Sequence, residues 1–216
     1  QVPPGGVNMR QLKYKYIILA GVLFLAAGLA EGIVYRHYGE LVTEPLRLGR
    51  FLRIYPVYND NGSWLHARLG IGYIRWLLVC EDILAILVEV FLIRFISSIC
   101  DFFSISRRVL VVVFCGMSAT AYRFFTRLRG VYVLDYLHVR GHGVFDLPDL
   151  YLFLTMAGLI LWLLPYHKAY IPFKKQKVKG MPLLQKWAWE FKFSGVFLRA
   201  AFLPRDRWEE LFQKWR

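Results

Sequence analysis

Two aspartates stand fourteen residues apart in the second half of the chain. Asp135 lies in Val133-Leu134-Asp135-Tyr136, and Asp149 closes Phe145-Asp146-Leu147-Pro148-Asp149 at the edge of a hydrophobic run. Two carboxylates that meet can divide one proton between them: the ionised one takes a proton from water, and the protonated one polarises a carbonyl. That is the chemistry of an activated water. Each residue also has a plainer reading. Asp146-Leu147-Pro148-Asp149 before an apolar run suits a helix start, with an N-cap, an early proline and an acid in the first turn. Asp135 suits a solvated loop acid paired with Arg127, Arg129 or Arg140, an arrangement worth about 0–1 kcal/mol.

The elements around these residues are membrane spans. The chain has 216 residues, 57% of them hydrophobic and 17% aromatic, with a mean hydropathy of +0.39. The apolar excess lies in runs over residues 16–35, 73–95, 109–125 and 150–166, against the roughly 20 residues a membrane helix needs. An all-α polytopic fold with four transmembrane helices follows. A soluble nucleic-acid binder could carry the net charge of +13, but not the uncharged run 150–166, and no nucleic-acid partner is expected.

All ten lysines precede the first span or follow the fourth, and Arg107 and Arg108 lie between the second and third. The positive-inside rule places that side, with both termini, in the cytoplasm. Loops 36–69 and 126–148 then face outward and carry both aspartates to the outer membrane surface. Three regions result: a flexible Pro/Gly-rich leader over residues 1–12, a membrane domain over 13–166, and a basic tail over 167–216. The tail holds twelve Lys/Arg against four Asp/Glu, interleaved with Trp187, Trp189, Phe191, Phe193, Phe197, Trp208, Phe212 and Trp215. Such a pattern suits an interfacial helix on anionic lipid, or a helix docked on a partner subunit.

Charges inside spans are costly and point to a role. Glu81 and Asp82 adjoin in the second span, and Glu89 shares a helical face with Asp82. Pairing with an arginine of a neighbouring span, Arg123 or Arg75, or with another subunit, is the expected role; an ion or proton path is the alternative. Removing Arg123 from the aspartates in this way also suits the dyad, because a nearby guanidinium would favour both carboxylates ionised. Cys80, Cys100 and Cys115 show no metal or disulfide spacing. His138 and His142 stand four apart between the aspartates without a metal-binding pattern around them. No metal or other cofactor is expected.

The outer-face residues also follow a known order. Tyr58-Asn59-Asp60-Asn61-Gly62-Ser63-Trp64 resembles the Tyr-Asn-x-Gly-Ala-Ala-Phe segment of the bacterial lipoprotein signal peptidases (signal peptidase II). Arg127, with Gly130 between it and Asp135, resembles the Arg of that family's Gly-Asn-x-x-Asp-Arg motif, which leads to Val-Val-Asp-Phe. Phe145-Asp146-Leu147-Pro148-Asp149 resembles its Phe-Asn-x-Ala-Asp. The resemblance covers residues 13–166 and implies a four-span aspartic endopeptidase of the bacterial inner membrane that cleaves lipid-modified prolipoproteins at the outer face. It implies Asp135 and Asp149 as the catalytic pair, with Asn59, Arg127 and Asp146 binding substrate or supporting the dyad. The chain departs from the pattern where Tyr122-Arg123-Phe124-Phe125-Thr126-Arg127 replaces the family's Gly, Asn and Asp. Those departures motivate the alternative, a catalytically inactive relative serving as a structural subunit of a membrane complex.

Overall fold

A computed structural model describes residues 9–59, 64–130 and 132–216. In chain order its elements are α1 (Met9–Arg36), α2 (Tyr38–Thr43), β1 (Leu46–Arg47), β2 (Leu52–Tyr58), α3 (Trp64–Leu69), α4 (Arg75–Phe103), α5 (Leu110–Leu128), β3 (Leu134–Val139), β4 (Gly143–Phe145), α6 (Leu147–Lys177), α7 (Leu183–Phe202) and α8 (Trp208–Gln213). The chain is a mainly helical, polytopic membrane protein. Among the described residues, four helices are long and apolar enough to cross a bilayer: Tyr14–Arg36, Arg75–Phe103, Arg107–Leu128 and Leu147–Lys177. Helices suit these runs because lipid offers the backbone no hydrogen-bond partners.

The helices outrun the apolar segments that announce them. α6 has 31 residues and carries Pro165 and Pro172 inside it. It continues through residue 166, where the sequence reading ended the membrane domain. α1 begins at Met9, so residues 9–12 of the expected leader are helical; residues 1–8 lie outside the described residues. The chain falls into two compact units, one of residues up to Ile86 with Phe114–Thr155, the other of Leu87–Val113 with Met156–Arg216.

In the first unit, the segments read as loops form a four-stranded antiparallel sheet in the order β1-β2-β3-β4. β2 pairs with β3 through Leu52↔Val139 and Ile54↔Leu137, then shifts register before Val57↔Asp135. The shift falls at Tyr55-Pro56, and proline cannot donate to a ladder. Buried Leu134 and Tyr136 share one face of β3 and pack with Val34 of α1, walled by Tyr38, Ile54 and Leu147. β3 returns into β4 through a turn in which Gly141 takes φ +81°, a conformation glycine adopts without strain.

The second unit has an aromatic core. Phe102 of α4, Phe193 and Phe197 of α7, and Trp208 and Phe212 of α8 are buried together. The rings meet mostly edge to face, as for Phe102 with Phe193 at 5.4 Å and with Phe212 at 5.3 Å. The indole N–H of Trp208 donates to the Ala200 carbonyl at 2.8 Å, which ties α8 to α7.

Candidate active site

The start of α6 is a reciprocal cap. Asp146 Oδ1 accepts the Asp149 N–H at 2.6 Å, and Asp149 Oδ2 accepts the Asp146 N–H at 3.3 Å. Helix starts leave orphan N–H groups, and this arrangement satisfies two of them. Pro148 in the first turn lacks an N–H and so leaves none unpaired. The helix-start reading holds for these residues, and capping fixes the Asp146 and Asp149 carboxyls.

Strand pairing delivers the third acid. β3 sets Asp135 opposite Val57, and the pairing continues as Asn59 N–H donates to the Val133 carbonyl at 3.0 Å. Asn59 Nδ2 then donates to Asp135 Oδ2 at 3.0 Å. Oxygens of Asp135, Asp146 and Asp149 all lie within 4.8 Å of one another. That spacing lets one water contact two carboxylates. Residues 60–63, the rest of the motif that begins at Tyr58, lie outside the described residues.

Arg123 of α5 reaches the same place. Its Nη2 donates to Asp146 Oδ1 at 3.2 Å and also to Asp149 Oδ1. Here the structure corrects the sequence reading, which sent Arg123 to Glu81 or Asp82. The arginine on Asp82 is Arg127, with Nη1 donating to Asp82 Oδ1 at 2.6 Å and to the Leu78 carbonyl at 3.4 Å, both partners buried. Arg127 is thus a structural tie between α4 and α5. The physical reason is helical phase. Residues four apart fall on one face but 6 Å along the axis, so Arg123 and Arg127 reach different levels, and the buried acid of α4 meets the second. Glu81 Oε1 meets buried His66 Nε2 at 2.9 Å, while His66 Nδ1 meets the Gly72 carbonyl at 3.0 Å.

Further contacts position β3 and were absent from the sequence reading. Glu31 of α1 accepts from the Tyr122 hydroxyl and, at 3.4 Å, from the Leu134 N–H beside Asp135. The Tyr136 hydroxyl accepts the Leu147 N–H at 3.3 Å. Arg75 Nε donates to the Arg127 carbonyl at 2.8 Å and Nη2 to that of Leu128, closing the C-terminus of α5. Only charge inside an apolar run hinted at any of these, because their partners lie up to 103 residues away.

Burial and like charge act in one direction on the two acids outside the spans. The Asp135 carboxyl is pushed up to about 7, first by burial and then by Asp146 and Asp149, against the smaller opposing pull of Arg123 and the Asn59 hydrogen bond. Asp146, 2% exposed, is also raised, again first by burial, with Arg123 opposing. A proton is therefore held within the cluster near neutrality. With one proton bound, three carboxylates and one guanidinium carry a net charge of −1. Carboxylates are hard oxygen donors suited to Mg²⁺ or Ca²⁺, but Arg123 already supplies positive charge to two of the three. A hollow of about 1020 Å³ opens between the end of α1, α2 and β1–β2, lined by His37, Glu40, Arg47 and Arg53 among others. None of the three acids lines it.

No family model matches the chain, and no curated protein matches it. Solved structures do. One, described as a bacterial membrane enzyme structure determined by the in meso method at 2.3 Å resolution, aligns with a TM-score of 0.51 at 16% identity, over 78% of this chain and 93% of its own. A second of the same description at 1.9 Å aligns with a TM-score of 0.50 at 15% identity, over 69% and 92%. At such identity the likeness is one of fold: the chain has the fold of a bacterial membrane enzyme.

Proposed function

We propose that the chain is an aspartic-type membrane endopeptidase of the signal-peptidase-II kind, cleaving signal peptides of lipid-modified prolipoproteins at the outer face of a bacterial inner membrane. The observation that carries this reading is the convergence of Asp135 and Asp149, from a strand and a helix start, to within a water-bridging distance. Both termini lie on the cytoplasmic side in this reading, by the distribution of lysine.

Asp149, in contact with Arg123, acts as the ionised base, and Asp135 holds the proton. A water between them attacks the scissile carbonyl carbon. Its proton passes to Asp149 while Asp135 protonates the carbonyl oxygen, giving a neutral tetrahedral diol. Collapse breaks the C–N bond, the Asp149 proton goes to the leaving nitrogen, and a hydroxyl proton returns to Asp135. Asn59 orients Asp135 through its 3.0 Å hydrogen bond. Asp146 also contacts Arg123, at 3.2 Å, so the guanidinium charge is divided between two carboxylates, neither of them Asp135.

The test is hydrolysis of a diacylglyceryl-modified signal peptide by the purified chain. Activity abolished in both Asp135→Asn and Asp149→Asn supports the reading; undiminished cleavage in either variant removes it. One observation favours a catalytically inactive subunit instead: Arg123 ties down two of the three carboxylates. For that second reading, no cleavage by the wild type and co-purification with fixed partner subunits are the expected results.

A further inference from the structure

α7 is apolar on two opposite faces. Phe193, Val196, Phe197, Ala200 and Ala201 are buried in the second unit's core. On the other side Leu184, Trp187, Phe191, Leu198 and Phe202 recur at spacings of three, four, seven and four residues, which places them in one stripe. Phe191 is 84% exposed and Phe202 79%. A helix on a water-facing surface carries polar residues there. We propose that this stripe lies in the interfacial layer of an anionic lipid bilayer, so that α7 is a membrane-surface helix packed against the ends of the second and fourth spans. This proposal is independent of the peptidase reading.

Lipid is favoured over a protein occupant by position, composition and charge. Only residues 178–182 separate α7 from α6. At 1.5 Å per residue, α6 is about 46 Å long against a hydrocarbon core of about 30 Å. Its final turns, with Lys174, Lys175 and Lys177, therefore extend to headgroup level. α7 folds back along these turns: Trp189 meets Phe173 at 6.1 Å and Phe193 meets Tyr170 at 6.1 Å. Farther along, Phe202 meets Phe91 of α4 at 5.5 Å. The helix is held beside the spans, not projected from them.

Trp187 in this stripe is 67% exposed, and tryptophan is favoured at a membrane–water boundary. A charged knot marks the same level. Asp101 at the end of α4 pairs with Arg107 and, at 2.7 Å, with Arg205. Exposed Lys192 and Arg199 flank the stripe along one edge, in a region of twelve Lys/Arg against four Asp/Glu. Basic side chains beside buried Trp and Phe match anionic headgroups over acyl chains.

The test uses the full chain with Cys80, Cys100 and Cys115 replaced by alanine, reconstituted in vesicles of phosphatidylcholine with or without phosphatidylglycerol. Nitroxide labels are placed at Phe191→Cys and Leu198→Cys, with Gln185→Cys as the polar-face control. In vesicles with phosphatidylglycerol, the expected ratio of collision with oxygen over a water-soluble nickel chelate is several-fold higher at 191 and 198 than at 185. That ratio should fall when phosphatidylglycerol is omitted. Labels at 191 and 198 reached freely by the chelate overturn the proposal. Labels shielded from both oxygen and chelate overturn it too, because a second copy or a partner then covers the stripe. Equal ratios in the two vesicles overturn the anionic preference.

Discussion

Asp146→Asn changes one charge at the centre of the cluster and little else. The replacement amide keeps an oxygen able to accept the Asp149 N–H, so the start of α6 is retained. Asp135 loses a negative neighbour within 4.8 Å. At an effective dielectric of ~20 that repulsion is about 3.5 kcal/mol, or some 2.5 pH units if Asp146 were fully ionised. Asp146 itself titrates upward in the cluster, so it is only partly ionised when Asp135 loses its proton, and about 1 pH unit is expected. The sign is downward: removing like charge makes the Asp135 proton easier to lose, and Arg123, freed from a counterion, pulls in the same direction. The alkaline limb of peptide cleavage should therefore move about 1 pH unit lower in the variant. Infrared difference spectra of the protonated carboxyl band read the same midpoint without requiring turnover, with Asp135→Asn assigning the band. A midpoint that stays put, or rises, would refute the electrostatic account of the site.

Other perturbations test separate parts of the molecule. Arg127→Leu should lower apparent stability in detergent by about 3–5 kcal/mol, because Asp82 is left as an uncompensated buried charge; Arg127→Leu with Asp82→Leu should recover most of the loss in a denaturation assay. Gly158→Ala should cost about 1–3 kcal/mol through overpacking, since a Cβ there would sit 2.6 Å and 2.8 Å from the methyls of Val112; Val112→Ala should recover part of it in thermal melts. The folded Asp135 carboxyl is raised from 3.8 to about 7, so its contribution favours the fold below pH 3.8 and is lost as pH rises through about 7. Melts of the wild type should fall across that window by up to about 4 kcal/mol, and Asp135→Asn should flatten the profile.

The four spans were legible because length and apolar character are properties of contiguous residues. The helix start at Asp146-Leu147-Pro148-Asp149 was legible for the same reason, since a cap is made within one turn. The sheet was not. β2 carries Arg53 and Pro56, and β3 has only six residues, so neither gives a clean alternation. The register that brings Asn59 to Asp135 spans 76 residues, and no local rule predicts it.

The same division holds for charge. Sequence alone established that Glu81, Asp82 and Arg123 needed partners, because an unpaired ion in an apolar span is too costly to leave. It also marked Asp135 and Asp149 as the acids to watch and the region beyond residue 167 as basic and aromatic. Which arginine meets which acid depended on helix phase and axial level, quantities set only when α4, α5 and the start of α6 pack. Tertiary structure gave Arg127 to Asp82 and Arg123 to the site. In doing so it drew Asp146 in beside the expected pair, and burial among three carboxylates, which no single segment contains, is what keeps a proton there near neutral pH.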